Sequence, residues 1–157
     1  LQESKQDELI EQYGLKPFEI NILDKNRTFI EKLVSVIRFS FADDPIESLS
    51  GKVRHFYDLY YLTNDTGCKT YLNSANFLTN LKEVIEHDKK LFKEPPGWNV
   101  KLLKDSPLMN DFKSLWDVLK ESYKKELFML SFTEIPSEKA IGDSFKNIIA
   151  LMEKLRE

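Results

Sequence analysis

Two short segments hold the side chains best suited to chemistry: Thr28-Phe-Ile-Glu-Lys32-Leu-Val-Ser-Val-Ile-Arg38 and Arg54-His-Phe-Tyr-Asp58-Leu-Tyr-Tyr-Leu62. At the helical angle of about 100° per residue, Arg54, Tyr57, Asp58 and Tyr61 fall at i, i+3, i+4 and i+7 and share one polar-aromatic face. Val53, Phe56, Leu59 and Tyr60 take the opposite side, where they can be buried. In the first segment Phe29, Ile30, Leu33, Val34, Val36, Ile37 and Phe39 cover well over half of the circumference. Lys32 lies inside that apolar arc, while Glu31, Ser35 and Arg38 share the remaining polar edge. Arg38 and Arg54 are candidates for phosphate or RNA contact, and Tyr57 and Tyr61 offer faces either for a base or for packing on a neighbouring helix. Each feature also has a structural reading. A lysine in an apolar arc can lay its methylenes over the core and carry its amine to water. Arg54 and Asp58 can form an i,i+4 surface pair contributing about 0.2–0.5 kcal/mol, in its weaker basic-before-acidic order. Spacing alone leaves both readings open.

The elements that must position these groups are mostly helices. Residues Ser4 to Tyr13 read as a short helix stopped by Gly14. In Pro17–Asp24, Phe18, Ile20 and Ile22 alternate with polar neighbours, the signature of a half-buried strand. A lone strand cannot satisfy its own backbone groups, so either a hairpin partner lies unrecognised in the chain or the rest of its sheet lies outside it. The Lys32 helix is expected from about Asn26 to Ala42, ended by Asp43-Asp44-Pro45. Ile46–Gly51 reads as a loop, Lys52–Thr63 as the Asp58 helix, and Asn64–Cys68 as a turn. Ser74 caps a helix through Phe77, Leu81, Val84, Ile85 and Leu91, broken at Glu94-Pro-Pro-Gly-Trp98. A long helix follows from Leu108 to Leu127, with Phe112, Leu115, Trp116, Val118, Leu119, Tyr123 and Leu127 as its stripe. The last helix buries Ile141, Phe145, Ile148, Ile149, Met152 and Leu155. These stripes read as bundle core. The fold class is therefore mainly α: a bundle of about five to six helices with one strand near the N-terminus.

Composition narrows the function. The 157 residues, 41% hydrophobic and 31% charged, suit one globular domain with a sizeable core. A net charge of −3 gives no overall basic field, so any RNA contact must come from a local patch. The single cysteine, Cys68, rules out an internal disulfide framework, and a reducing cytoplasm is the simplest compartment. No apolar run reaches the roughly 18–20 residues of a membrane span, and no signal peptide is evident. His55 and His87 are too few and too far apart in sequence to suggest a metal site, and no Gly-rich phosphate loop or nucleophile elbow occurs. The chain opens with Leu1 rather than Met, which reads as a trimmed piece.

The order of words in the chain adds to this. Glu31-Lys32 with Arg38, then Arg54-x-x-Tyr57-Asp58, then the closing "ESYKKELFML", "IPS" and "SFKNI" segments resemble the C-terminal half of the AbiEii/AbiGii nucleotidyltransferase toxins of type IV toxin–antitoxin systems. The resemblance spans nearly the whole chain. It implies that residues 1–24 are the tail end of a nucleotidyltransferase α/β lobe and residues 25–157 a helical C-terminal domain. It also implies transfer of a nucleotide from an NTP, with Mg2+, to an RNA acceptor such as tRNA, and an antitoxin partner. No DNA and no membrane partner is expected. Lys32 and Asp58 would then be catalytic, Lys32 on the triphosphate and Asp58 orienting Lys32, Arg54 or the nucleotide. Arg38, Arg54 and Tyr57 would be nucleotide-binding. The family's metal carboxylates, from Gly-Ser-x-x-Asp and Asp-x-[Asp/Glu] segments, have no counterpart here, and Glu19 and Asp24 are weak substitutes. No metal ligand is therefore assigned, and the chain alone is expected to be inactive. The rival reading is a non-enzymatic helical module whose Arg/Asp/Tyr face binds protein or RNA.

Overall fold

The structure is a computed structural model that describes residues 9–14, 19, 22–130 and 134–155. The described part of α1 is residues 9–13, and Gly14 follows in the left-handed region at φ 64°, donating its N–H to Glu11 O. That is the glycine stop expected of a helix C-terminus. The expected strand lies partly outside the described residues, which omit Pro17, Phe18, Ile20 and Asn21; Glu19 and Ile22–Asp24 are not in a strand. Among the described residues every regular element is helical.

The central elements are α2 (Lys25–Phe39), α3 (Pro45–Ser50) and α4 (Val53–Asn64). Asp24 starts α2 by accepting from the N–H groups of Asn26 and Arg27 at 2.9 and 3.1 Å. The helix stops at Phe39, three residues short of Ala42. Buried Ser40 turns its hydroxyl back onto Ile37 O at 2.6 Å and meets Ser106 Oγ at 2.8 Å. The loop expected over 46–51 is instead mostly α3. Asp44 accepts from Glu47 N at 2.9 Å, and Pro45 sits where a missing N–H costs nothing. The proline that ends one helix thus begins the next. The expected turn at 64–68 likewise gives way to α5 (Thr66–Leu72), with Asp65 as its cap on Cys68 N at 3.1 Å. Then come α6 (Ala75–Leu91), 3-10 turns at Trp98–Val100 and Leu103–Asp105, α7 (Pro107–Asn110), α8 (Phe112–Leu130) and α9 (Glu138–Met152). Ser74 precedes α6, but its hydroxyl donates to Tyr71 O and makes no cap bond.

Helix α4 is the hub, packing on α2, α5, α8 and α9. Its buried face of Val53, Phe56 and Leu59 follows the predicted wheel. Phe56 meets Phe145 at 4.8 Å, Trp116 at 5.3 Å and Phe112 at 6.4 Å between ring centroids. The Trp116 indole donates to Glu138 O at 3.0 Å, and Tyr123 donates to Pro136 O at 2.7 Å. Gly142 makes the α8–α9 approach possible, since a Cβ there would stand 2.7 Å from Trp116 Nε1. Two residues read as core are not: Val118 is 52% and Leu91 60% exposed. No helix among the described residues is long and apolar enough to cross a membrane.

Candidate functional site

Helices α2 and α4 run antiparallel, and three contacts mark their seam. Lys25 Nζ reaches Asp65 Oδ2 at 2.8 Å at one end. In the middle, Lys32 Nζ donates to Asp58 Oδ2 at 2.7 Å. At the other end Lys52 Nζ lies 4.5 Å from the centroid of the Phe39 ring. The Lys32 ammonium thus leaves its apolar arc at the edge and meets a carboxylate rather than open water. The two side chains are 27% and 36% exposed, so the pair is partly desolvated.

The pair opens into a shallow groove of about 360 Å³ lined by Thr28, Lys32, Tyr57, Asp58, Tyr61 and Leu62. The Tyr57 and Tyr61 rings lie 4.8 Å apart, and Tyr61 is 47% exposed. Burial, together with the hydrogen bond to Tyr61, pushes the Tyr57 phenol above its usual range, so it stays protonated. Thr28 sits one turn before Lys32 on α2 and was not singled out by the sequence reasoning. Its signal was available, since i and i+4 share a face.

Of the other candidates, Arg54 does not pair with Asp58. It is 59% exposed and turns to Glu126 Oε2 of α8 at 3.7 Å. Arg38 lies six residues beyond Lys32, about 9 Å along the helix axis. Its guanidinium packs over Phe92 at 4.1 Å, Phe39 at 4.8 Å and Trp98 at 5.9 Å. Its Nε is buried with no hydrogen-bond partner, and burial lowers its pKa, an effect that Asp88 partly offsets. The structure therefore brings Lys32, Asp58, Tyr57 and Tyr61 together and leaves Arg38 and Arg54 on separate patches.

His55 is the neighbour that sequence spacing did not connect to this pair. Its Nδ1 is buried and unpartnered, and burial, then the ammonium groups of Lys32 and Lys52, push its pKa down to about 4, against the pull of Asp58. It is neutral at pH 7 and adds no positive charge. Among the described residues no group of three His, Cys, Asp or Glu side chains could hold a metal ion, so none of them is assigned to magnesium. Asp24 and Asp44 are spent on helix N-caps, and Glu19 is exposed.

Over residues 2–148 the chain matches the family described as Nucleotidyl transferase AbiEii toxin, Type IV TA system. The chain belongs to the AbiEii family. That membership carries a nucleotidyltransferase toxin role, with a nucleotide substrate and an antitoxin partner. No curated protein and no solved structure matches the chain. The AbiEii match covers both helices of the Lys32–Asp58 groove and most of α9.

Proposed function

We propose that the α2–α4 groove is the nucleotide-binding face of an AbiEii enzyme that transfers a nucleotide from an NTP to an RNA acceptor such as tRNA. The observation that carries this reading is the 2.7 Å contact between Lys32 and Asp58 inside a groove edged by two tyrosines. Lys32 binds the triphosphate, where a partly water-excluded ammonium is worth more than a surface one. Asp58 is a positioning residue: it holds the Lys32 ammonium at the groove until phosphate oxygens replace the carboxylate. Tyr57 backs the base-stacking ring of Tyr61. Arg54, on the outer shoulder of α4, and Arg38, at the far end of α2, contact phosphates beyond the groove. Magnesium would neutralise charge on the phosphates, and its carboxylates belong to a part of the enzyme other than the described residues.

One observation favours a purely structural reading. Lys25 and Lys32 stand seven residues apart on α2, as do Asp58 and Asp65 along α4 and its C-terminal end, so the two ion pairs form a regular inter-helix ladder. Transfer activity separates the readings. In the complete reading frame, followed by labelled-nucleotide transfer to total RNA with magnesium, Lys32→Ala and Asp58→Ala should each lower transfer about 10²–10³-fold, with circular dichroism unchanged. Unaffected transfer in both variants would make the ladder scaffold and return the face to the interaction-module reading.

A further inference from the structure

A second, larger cavity of about 530 Å³ lies on the other flank of α4, between α5 and α9. Its floor is apolar, with Leu72 at 6% and Ile148 at 1% exposure. Its rim is built from carboxamides and hydroxyls. Asn64 Nδ2 donates to Tyr60 O at 2.9 Å and Asn73 Nδ2 to Lys69 O at 2.8 Å, which leaves both amide oxygens open to a further donor. The side chain of Asn147, which directly precedes Ile148 on α9, makes no hydrogen bond among the described residues. The one carboxylate on the rim, Asp143, is engaged by Lys139 at 3.0 Å and Lys146 at 3.2 Å. Beneath, Thr63 Oγ1 and Ser144 Oγ meet at 2.9 Å and tie α4 to α9, so the cleft is held by fixed elements.

This lining suits an uncharged, flat ligand with amino and carbonyl groups at its edge. The volume falls in the range of about 300–1,000 Å³ that holds small organic groups. An apolar floor takes the face of a nucleobase, and the amide oxygens of Asn64 and Asn73 with the carboxamide of Asn147 match the donors and acceptors of its edge. Metal ions are poorly served, since Asp143 is already engaged by Lys139 and Lys146.

Ring contacts on α4 also connect the wall of the cleft to that of the groove. Tyr60 forms part of its wall and meets Tyr61 edge-on at 5.4 Å, and Tyr61 meets Tyr57 at 4.8 Å. Three rings thus link the Lys32–Asp58 pair to the cleft over α4, and the exposed ring of Tyr61 offers a face for a base of a single strand. We infer that this cleft holds a nucleobase and ribose of the single-stranded RNA acceptor, next to the nucleotide whose hydroxyl is extended. The inference rests on the transfer reading above and adds a second, acceptor-side subsite to it.

The test is nitrogen-15 resonance mapping of the chain, titrated separately with NTP and with a short mixed-sequence oligoribonucleotide. The oligoribonucleotide should shift the side-chain amides of Asn64, Asn73 and Asn147. An Asn73→Ala/Asn147→Ala double variant, altered only at exposed positions, should bind it about tenfold more weakly. NTP shifts around Lys32 and Asp58 should be the same in the variant. Oligoribonucleotide that leaves the three amides unmoved, or binds the double variant equally well, would overturn the cleft assignment while the NTP shifts at the groove still stand. NTP silence at Lys32 with the cleft still filled by RNA would sink the groove reading and support the cleft.

Discussion

One face of α4 is packed with rings and the other carries ions, and different forces hold the two. On the ring side Phe56 is 1% exposed and touches Phe112, Trp116 and Phe145. Burial of aromatic surface dominates there, with roughly 0.5–1.5 kcal/mol more for each well-oriented ring pair. On the ion side Lys32 and Asp58 keep a quarter to a third of their side chains in water. A pair this exposed adds at most about 1 kcal/mol, because side-chain entropy and solvent screening offset its attraction. The ring side therefore fixes where α4 sits, and the ion side is free to be spent on a ligand.

The contrast can be broken most easily at its strong end. Phe56→Ala should cost about 3–5 kcal/mol by leaving a cavity among three rings, read as a fall in the urea midpoint. A loss no larger than that of a surface substitution would show that α4 is not anchored there. Gly142→Ala should cost about 1–3 kcal/mol, because the added methyl would overlap the Trp116 indole and strain its bond to Glu138 O. Tryptophan fluorescence during unfolding would report both the shift and the altered indole environment.

His55 gives a pH-dependent effect whose sign can be worked out. Its folded pKa, pushed down to about 4, lies below the ordinary 6.5, so between those values the unfolded chain binds more protons than the folded one. Stability contributed by the neutral, buried imidazole is present above pH 6.5 and lost as pH falls toward 4. A His55→Gln variant should flatten that part of the curve, and an identical slope in both proteins would show that His55 is not buried neutral. The smallest effect is expected at Arg54→Ala. Its 3.7 Å contact with Glu126 is exposed, and the change should stay within about 0.5 kcal/mol by chemical denaturation.

Much of this was legible in the chain. The apolar wheels of α2 and α4 appear as buried faces, and Gly14 carries its left-handed stop. Other features were signalled but read as loops: Asp44 and Asp65 are N-cap residues, and α3 and α5 start where they predict. The Lys32–Asp58 contact joins residues 26 positions apart. It depends on the antiparallel register of two helices, which neither wheel contains. Arg54 illustrates the same limit, since its i+4 neighbour Asp58 was available and a carboxylate from α8 took its place. Val118 was placed in the core by its spacing but faces solvent, because the neighbours of α8 cover a narrower stripe than its apolar residues span.

If the groove is the nucleotide site, Lys32 meets the nucleotide's phosphates there. Isothermal titration of the chain with NTP, beside Lys32→Ala, tests it directly. A lost charge-assisted contact should weaken binding about 10–100-fold while the unfolding midpoint moves little. Equal affinity in the two proteins would contradict the account and leave Lys32 as a rung in a structural ladder.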